Sequence, residues 1–573
     1  MSIWGAWELK KLAFRNIFRH KVKTLLTSLA VTVCVAMFIF LNCWVGGASI
    51  ESRRNIVQYE TGAAKLQTNI YFEKKDEMPS YENFTGWEAY SKALAGEGYN
   101  SAPRFVFSGT LLREGSGIPV LFHGIDPALE KQTMHYTNYI EYGRFVQNGN
   151  FEIILGIMAA DRLKIGIPSR PIRHELEELI TQVAHNPADA DFILSLYAQA
   201  EKRGYWDYQD LSSEQLVLKK DIPKADLERF WDLVMASGRN DLRISTVIDK
   251  KEAPETIRAD RFEVELMEAL YPGDRELVQN AYEYEYLMND YVLKAEIEDD
   301  EYQLALVRDV MIRAGFSGAV RNVFQVFDVK VVGIINSPAP LPNSNTAYIP
   351  LDVLQDEAGM MLKGAVTELV INDSRRASHQ LPGESESSSA INSALERAMG
   401  SPLPHDLGIR TWLDYSADYL SFEKMENTMP NVLTSLLFIL AFLGISNTIL
   451  LSIMERTKET GMIRAMGMTD GQVKLVYMFE AGFIGLFGSI LGIILGCIIN
   501  YPMVKYGMDF SAMSEMMGEG GLGFRVINEY RSTWLWGVIF GSGVVATLMS
   551  FLIAWFPTRK ALKLSITDSM RFE

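Results

Sequence analysis

Histidines, cysteines and serines are the side chains of this sequence most able to bind a metal or act as nucleophiles. The seven histidines are dispersed, and neither H-E-x-x-H nor C-x-x-C spacing occurs. His174-Glu175 lacks a second histidine four residues after the first, and the G-x-S-x-G frame of a nucleophile elbow is absent. The sequence therefore predicts no catalytic residue and no metal-binding residue.

A phosphate-binding loop of the form G-x-x-x-x-G-K-[ST] is also absent, so no cofactor is predicted on this chain. The paired carboxylates Asp299-Asp300 lie in a dense acidic run, which favours a solvated surface over a cation site. The formal net charge of −16 argues against nucleic acid as a partner, because phosphate binding needs clustered Lys and Arg.

Four long apolar runs organise the chain, and each has the roughly 20 residues that a membrane-spanning helix needs. The first could also be a cleavable signal peptide, but its apolar core exceeds the roughly 7 to 15 residues usual for one. Glu480 is the one charge inside the third run. The sequence predicts four transmembrane helices, one before and three after a large domain, at 24–45, 432–453, 476–499 and 534–556.

Lys and Arg in short flanking segments set the predicted orientation. Basic residues cluster in 1–23, 454–475 and 557–573, which places these segments and both termini in the cytoplasm. The mixed loop 500–533 then lies outside, and Arg53-Arg54 beside the first span is the exception to the rule. We predict a multi-pass membrane protein with a large extracytoplasmic domain.

The predicted outer domain is mixed α/β and comes in two parts, 46–168 and 322–410, with strand-like runs such as 152–155 and 327–335. Residues 169–321 repeat apolar side chains at three- and four-residue intervals, which predicts a mainly helical insertion. Tyr282, Tyr284, Tyr286 and Tyr291 could form a contact face there, although the pattern favours a solvated helix face with some core aromatics. Residues 411–431 predict a stalk helix that runs into the second span.

Small residues repeat along the third span, and such residues let helix backbones approach closely in lipid. The pattern predicts helix packing, either inside one bundle or between two copies in a dimer. The residues concerned are Gly485, Gly488, Gly492 and Gly496.

The cytoplasmic segment 454–475 carries the most specific local pattern. Met462, Ile463, Ala465 and Met466 form an apolar face. The opposite, polar side is predicted to hold Glu455, Arg456, Lys458, Glu459 and Arg464. From the residues alone, this element is either a helix lying on the membrane surface or a docking element.

Here the sequence resembles the FtsX-like/MacB-like permeases of ABC transporters, which include the LolC/LolE-type lipoprotein-releasing permeases. The matching residues are Asn447-Thr448, 455–459, Gly461, Arg464-Ala465, Gly467, Glu480-Ala481 and the tail from 557 to 571. The middle of the chain matches more loosely, at 120–127, 152–166 and 327–351. Thr460 departs from the aliphatic residue usual in the motif, and the insertion 169–321 is a larger departure.

The resemblance implies a non-catalytic permease subunit that pairs with a second permease, identical or homologous. It also implies two copies of a cytoplasmic ABC ATPase, which bind the ATP and Mg, and movement of the outer domain for lipoprotein or lipid release or export. Membrane lipid and a lipoprotein or periplasmic protein are the other expected partners, and the resemblance implies a location in the bacterial cytoplasmic (inner) membrane. By similarity, the ATPase-coupling residues are Glu455, Arg456, Lys458, Glu459, Gly461, Arg464 and Gly467.

Two other functions stay open on the sequence. One is a mechanotransmission complex that transports nothing and regulates a cell-wall hydrolase or senses an outside ligand. The other is a membrane-anchored receptor or adhesin whose spans serve only as anchors.

Overall fold

The computed structural model of the protein describes residues 5–17, 19, 21–168, 171, 173–199, 216–219, 222–298, 300–357, 360–361, 363–373, 388–400, 402–509 and 529–562. Most of the predicted 500–533 loop and the end of the predicted 557–573 tail lie outside these residues. As far as it is described, the chain divides into two compact units. A helical unit comprises residues 5–53, 416–509 and 529–562, and an α/β unit comprises residues 54–415.

The described helices of the first half of the chain are α1 (Ala6–Ile17), α2 (Lys21–Asn55), α3 (Asn69–Glu73), α4 (Trp87–Gly96), α5 (Pro127–Thr133), α6 (Ile157–Arg162), α7 (Arg173–Val183), α8 (Pro187–Ser195), α9 (Lys224–Ser237), α10 (Met267–Ala269) and α11 (Pro272–Ala281). Those of the second half are α12 (Ala295–Glu298), α13 (Glu301–Arg313), α14 (Pro340–Asn343), α15 (Ser388–Met399), α16 (Trp412–Tyr415), α17 (Ala417–Glu455), α18 (Thr457–Ala465), α19 (Asp470–Tyr506), α20 (Trp536–Ile553) and α21 (Trp555–Ala561). Short π-helices occupy Ile56–Thr61, Arg261–Leu266 and Val353–Glu357, and a 3₁₀-helix occupies His135–Asn138.

The described strands are β1 (Ala64–Thr68), β2 (Tyr99–Arg113), β3 (Ser116–Ile125), β4 (Ile140–Gly143), β5 (Glu152–Gly156), β6 (Tyr197–Gln199), β7 (Leu216–Leu218), β8 (Asp241–Lys251), β9 (Thr256–Arg258), β10 (Tyr282–Glu285), β11 (Asp290–Leu293), β12 (Val320–Ile335), β13 (Thr346–Pro350), β14 (Glu368–Asp373), β15 (Leu407–Thr411), β16 (Met508–Asp509) and β17 (Glu529–Tyr530).

Within the described residues, four helical stretches are long and apolar enough to cross a membrane. They confirm the predicted arrangement of one span before and three spans after a large domain. Each stretch continues past its apolar run, because the helical hydrogen bonds extend into the flanking polar residues. The stretches are Thr24–Thr61, Glu423–Glu455, Asp470–Lys505 and Trp536–Lys560.

The glycines of α19 face two other helices of the helical unit. A Cβ atom added to Gly488 would lie 2.8 Å from the carbonyl oxygen of Ser28, and one added to Gly492 would lie 2.9 Å from that of Thr32. The Thr32 hydroxyl also donates a hydrogen bond to the Gly488 carbonyl at 3.1 Å. Gly496 faces Ile39, which belongs to α2 like Ser28 and Thr32, whereas Gly485 faces Ser550 in α20. The structure therefore places the glycine stripe inside the helical unit, where α2 and α19 approach at backbone distance.

The second span belongs to one continuous helix, α17, which includes most of the predicted stalk. Pro430 lies within it and lacks the N–H that would continue the helical ladder. The Thr434 hydroxyl donates to the carbonyl of Pro430 at 2.6 Å. The helix thus runs unbroken for 39 residues despite the proline.

A ten-stranded mixed sheet forms the centre of the α/β unit in the described chain, with β15-β1-β14-β2-β3-β13-β5-β12-β4 in order and β8 paired with both β12 and β2. β13 runs parallel to β3, and β5 runs parallel to β12, while most other pairs are antiparallel. Its apolar faces build the main core around Phe105, Phe122, Ile153 and Val331. This sheet confirms the predicted mixed α/β class.

β1 and β15 lie side by side at one end of this sheet order. Their antiparallel register runs from Ala64 opposite Thr411 to Thr68 opposite Leu407. β1 follows α2 in the chain after the π-helix Ile56–Thr61, and β15 precedes α16 and α17. The strand after the first span is thereby hydrogen-bonded to the strand before the second.

The insertion 169–321 contributes to the structure in two ways. Its first part packs α7, α8 and α9 on the main core and supplies β8 to the main sheet. Residues 252–319 form a subdomain with its own core around Phe262, Leu266 and Val307. The residues between 282 and 291, predicted as helix, instead form the β10–β11 hairpin, since tyrosine and glutamate alternate there with the two-residue period of a strand.

Candidate functional site

The segment between the second and third spans forms one short helix with a backbone break at each end. α17 ends at Glu455, and Arg456 adopts a φ of −110° before α18 begins. After α18, Gly467 has a φ of +102°, a conformation that favours glycine. α19 then begins under a capping box, in which the side chains of Thr469 and Gln472 each accept a hydrogen bond from the other's backbone N–H.

Arg456 is buried at the first of these breaks, with 6% of its surface exposed. Its Nη1 lies 3.5 Å from Oε2 of Glu480 in α19, and its Nε lies 3.8 Å from Oε2 of Glu459 in α18. The sequence pattern placed Arg456 on the exposed polar side. It is buried instead, because the lone carboxylate of an apolar span requires a cationic partner. That requirement is the sequence feature from which the pair could have been predicted.

Three further contacts fix α18. Arg19, which follows α1, holds Glu459 through an Nη1–Oε2 ion pair of 2.8 Å, and Arg464 lies 2.9 Å from the Asp470 carboxylate. The hydroxyl of Thr460 lies 3.0 Å from that of Tyr477 in α19. The departure from the family motif at Thr460 thus supplies a hydrogen bond to the third span.

The side chains left exposed on this element share one face of it. Met462 and Met466 stand in solvent, whereas Gly461 and Thr457 are buried against the helical unit. Lys458, one helical turn before Met462, is exposed on the same face, and Glu455 and Asp470 are exposed at the ends of the neighbouring helices. Since methionine adapts its shape to a partner surface, this face suits protein docking.

A second contact ties α2 to α17 within the helical unit. The Arg53 guanidinium forms an ion pair with Glu423, with Nη2 2.8 Å from Oε1 and Nε 3.1 Å from each oxygen. Glu423 is only 2% exposed. Arg53 is one of the two arginines that disagreed with the predicted orientation, and its charge is compensated by this carboxylate. The sequence analysis did not identify Glu423, since the pair spans 370 positions of the chain.

β1 contributes to a buried charge network in the α/β unit. Lys65 of β1 contacts Glu368 of β14 at 2.7 Å, and Arg104 of β2 contacts the same carboxyl at 3.7 Å. Arg104 also donates to Glu130 at 2.5 Å. Burial lowers the pKa of Lys65, and the neighbouring Glu368 carboxylate opposes this shift. Each charge in the network has an opposite partner, so the strands β1, β14 and β2 are held together by more than backbone hydrogen bonds.

His123 of β3 lies beside this network. Within the described chain, neither of its ring nitrogens has a hydrogen-bond partner, and its ring stacks on Tyr348 at 5.2 Å. Burial, reinforced by the charges of Arg104 and Lys65, holds the pKa of His123 well below its ordinary value. The imidazole is therefore neutral at pH 7. Among the described residues, no group of three His, Cys, Asp or Glu side chains is placed to hold a metal ion.

Comparison with known proteins relates the membrane region to one family. Residues 431–566 match the family described as FtsX-like permease C-terminal. An uncharacterised ABC transporter permease of Methanocaldococcus jannaschii is 24% identical over 266 residues, which cover 44% of this chain and 58% of that protein.

Two named relatives match shorter stretches. The lipoprotein-releasing system transmembrane protein LolC of Neisseria meningitidis is 20% identical over 172 residues, covering 29% of this chain and 40% of LolC. The macrolide export ATP-binding/permease protein MacB of Sodalis glossinidius is 24% identical over 187 residues, covering 32% of this chain and 26% of MacB. The chain thus spans less than two thirds of each of these relatives.

Proposed function

We propose that this protein, an FtsX-like permease of the ABC transporter class, couples ATP hydrolysis on a separate ATPase to movement of its α/β unit. Two ATPase copies and a second permease, identical or homologous, complete the proposed complex. α18 is the docking element, and the residues Glu455, Arg456, Lys458, Glu459, Gly461, Arg464 and Gly467 hold or form its surface.

The continuity of α17 is the observation that carries this proposal. The helix joins α18 at one end to α16 and β15 at the other, over 39 residues. At 1.5 Å per residue, it is roughly 58 Å long, which exceeds the thickness of a bilayer. A displacement of α18 would therefore be carried along one continuous helix as far as Ala417, two residues in sequence from the end of the α/β unit at Tyr415.

The pairing of β1 with β15 brings together the strand after the first span and the strand before the second. Because these strands are hydrogen-bonded along five residue pairs, the strand that follows α2 in the chain and the strand that precedes α17 lie at the same end of the main sheet. The Arg53–Glu423 ion pair links the two helices in the helical unit as well. The two spans are thus suited to move together.

The proposed cargo is a lipoprotein, a lipid or another amphiphile. It is released or exported from the cytoplasmic membrane, and both termini of the protein lie on the cytoplasmic side of that membrane. Supporting this class, one relative is named as part of a lipoprotein-releasing system and another as a macrolide exporter. An amphiphile has an apolar part that needs work to leave the bilayer, which ATP hydrolysis can supply.

The test is to purify the full-length protein in lipid nanodiscs with the ABC ATPase that accompanies it. We expect Met462→Asp together with Met466→Asp to abolish ATPase binding, since each change puts a charge on the exposed apolar face. Met399→Asp in α15 is the matched control, because Met399 is an exposed methionine of the α/β unit. ATPase binding that survives the double substitution, or the absence of any ABC ATPase from the purified complex, would overturn the proposal.

A further inference from the structure

The β10–β11 hairpin of subdomain 252–319 ends in an exposed apolar tip. Its loop comprises residues 286–289, and the side chains of Tyr286, Leu287 and Met288 are 85%, 92% and 64% exposed. Single exposed apolar residues are common on soluble surfaces, but three in succession at the end of a protrusion are not. Contiguous exposure of this kind marks an interaction surface.

The tip is held in shape by its own hydrogen bonds. Asn289 has a φ of +58°, a conformation that asparagine tolerates, and its backbone N–H donates to the Glu285 carbonyl at 3.0 Å. The Tyr284 hydroxyl donates to Oδ1 of Asn289 at 2.8 Å. A fixed loop loses little conformational entropy when a partner binds it.

The base of the hairpin is fixed by the subdomain core. The Tyr291 ring stacks on Phe262 at 3.9 Å, and the Tyr282 hydroxyl donates to the Pro254 carbonyl at 2.7 Å. The hairpin therefore presents Tyr286, Leu287 and Met288 as a rigid projection.

Carboxylates surround this projection. Glu285 and Asp290 are directly opposite each other across the strands, an arrangement of like charges that destabilises a hairpin. Glu283 is exposed on the same strand as Glu285. Within the described residues, none of the three forms an ion pair, while Arg258 and Arg261 of the subdomain are paired with Asp260 and Glu265.

The charge of the whole subdomain has the same sign. Residues 252–319 contain 17 Asp and Glu against six Lys and Arg, which leaves a net charge of −11 out of −16 for the chain. A field of this size favours cationic partners and slows the approach of anionic ones.

We propose that the hairpin tip docks a polypeptide that presents an apolar face flanked by lysine or arginine side chains. The apolar face covers Tyr286, Leu287 and Met288, and the basic side chains neutralise Glu283, Glu285 and Asp290. A lipid surface fits less well, because anionic headgroups are repelled by the subdomain and neutral headgroups leave the carboxylates without cations. This inference goes beyond the proposed ATP-driven movement, which involves the helical unit and the main sheet.

The probe for this site is a fluorescent amphipathic peptide built from leucine and lysine. It is titrated against the full-length protein in nanodiscs of zwitterionic lipid. We expect Leu287→Ser with Met288→Ser to weaken binding about tenfold, the loss typical of removing a central apolar contact. The control is Val264→Ser with Tyr271→Ser, exposed apolar residues of the same subdomain outside the hairpin, which should leave the affinity unchanged.

A second set of variants tests the charges. Glu283→Gln, Glu285→Gln and Asp290→Asn together should also weaken binding about tenfold and reduce its dependence on salt. A matched peptide of leucine and glutamate should not bind. The proposal is wrong if the wild type fails to bind the leucine–lysine peptide, or if either set of hairpin variants binds it as the wild type does. Equal binding of the leucine–glutamate peptide would contradict the proposal too. So would binding of the wild-type protein, but not of the hairpin variants, to zwitterionic vesicles that contain no protein.

Discussion

Arg456 and Glu480 form a buried ion pair, 3.5 Å from Nη1 to Oε2, that ties the start of α18 to the third span. Both side chains are withdrawn from solvent, and Glu480 is the nearest carboxylate to Arg456, with Glu459 at 3.8 Å. Removing one partner leaves an uncompensated buried charge, whereas replacing both with apolar residues leaves none.

We therefore expect Arg456→Ala to destabilise the helical unit by about 3 kcal/mol. Arg456→Met combined with Glu480→Leu should recover most of this loss. Lys458→Ala, an exposed neighbour, should change stability by no more than about 0.5 kcal/mol. Thermal unfolding of the full-length protein in detergent measures all three, and a double variant no better than Arg456→Ala would contradict the pairing.

The contact between α2 and α19 predicts a strong effect of side-chain size. Leucine at Gly488 or Gly492 would meet the Ser28 or Thr32 backbone, so Gly488→Leu and Gly492→Leu should destabilise the unit by about 3 kcal/mol or prevent its assembly. Gly541→Leu in α20 is the control, since no described atom lies within 4 Å of a Cβ placed there. The yield of monodisperse protein after membrane extraction distinguishes these variants; equal yields would show that the helices do not pack closely.

The Arg53–Glu423 ion pair predicts a rescue experiment. Arg53→Glu alone places two carboxylates together, and Glu423→Arg alone places two guanidinium groups together. On the proposed function, each variant should lower stimulation of the partner ATPase several-fold. The exchanged pair, Arg53→Glu with Glu423→Arg, should restore much of it. Failure of the exchange to restore stimulation, with all three proteins equally stable, would show that the contact does not link the two spans.

His123 predicts acid sensitivity of the α/β unit. Its folded pKa lies well below the ordinary value of 6.5, so below pH 6.5 the unfolded chain binds a proton that the folded chain does not. Stability present above pH 6.5 is then lost as the pH falls toward the folded pKa, by up to about 1.4 kcal/mol per pH unit.

His123→Phe keeps a ring against Tyr348 and removes both unpaired nitrogens, so its stability should fall less between pH 7 and pH 5 than that of the wild type. His185→Gln, at an exposed position, is the control. Circular dichroism melts of the full-length protein at the two pH values give the comparison. Parallel losses in the wild type and His123→Phe would assign the acid sensitivity to other groups.

Local patterns predicted the spans and several strands well. The apolar runs were sufficient to predict the four membrane helices, and the alternation at 327–335 was sufficient to predict a strand. Hydropathy and side-chain period are properties of a single helix or strand and can be read from its own residues. The hairpin at 282–291 was missed since the surrounding helical spacing outweighed a short two-residue alternation. The hairpin lies in the insertion, where the family resemblance does not extend and so could not correct the predicted helix.

Pairings between residues far apart in the chain could not be predicted from the sequence. β1 and β15 are separated by more than 300 positions, and no local property of residues 64–68 selects residues 407–411 as neighbours. The burial of Arg456 and Glu423 has the same origin, because each depends on a partner brought near by the tertiary fold. Of these residues, Glu480 alone indicates a partner from the sequence, because a single carboxylate in an apolar span requires a cationic side chain nearby.

Subdomain 252–319 is attached to the main sheet in a way that would allow it to be replaced as a unit. Lys251 of β8 and Val320 of β12 are register partners, so the chain leaves and re-enters the sheet at a single point. A two-residue Asn-Gly turn could join these positions without shifting a strand. A change confined to this junction would therefore remove or replace the subdomain, together with the hairpin tip proposed to dock a partner, and leave the pairing of β8 with β12 intact.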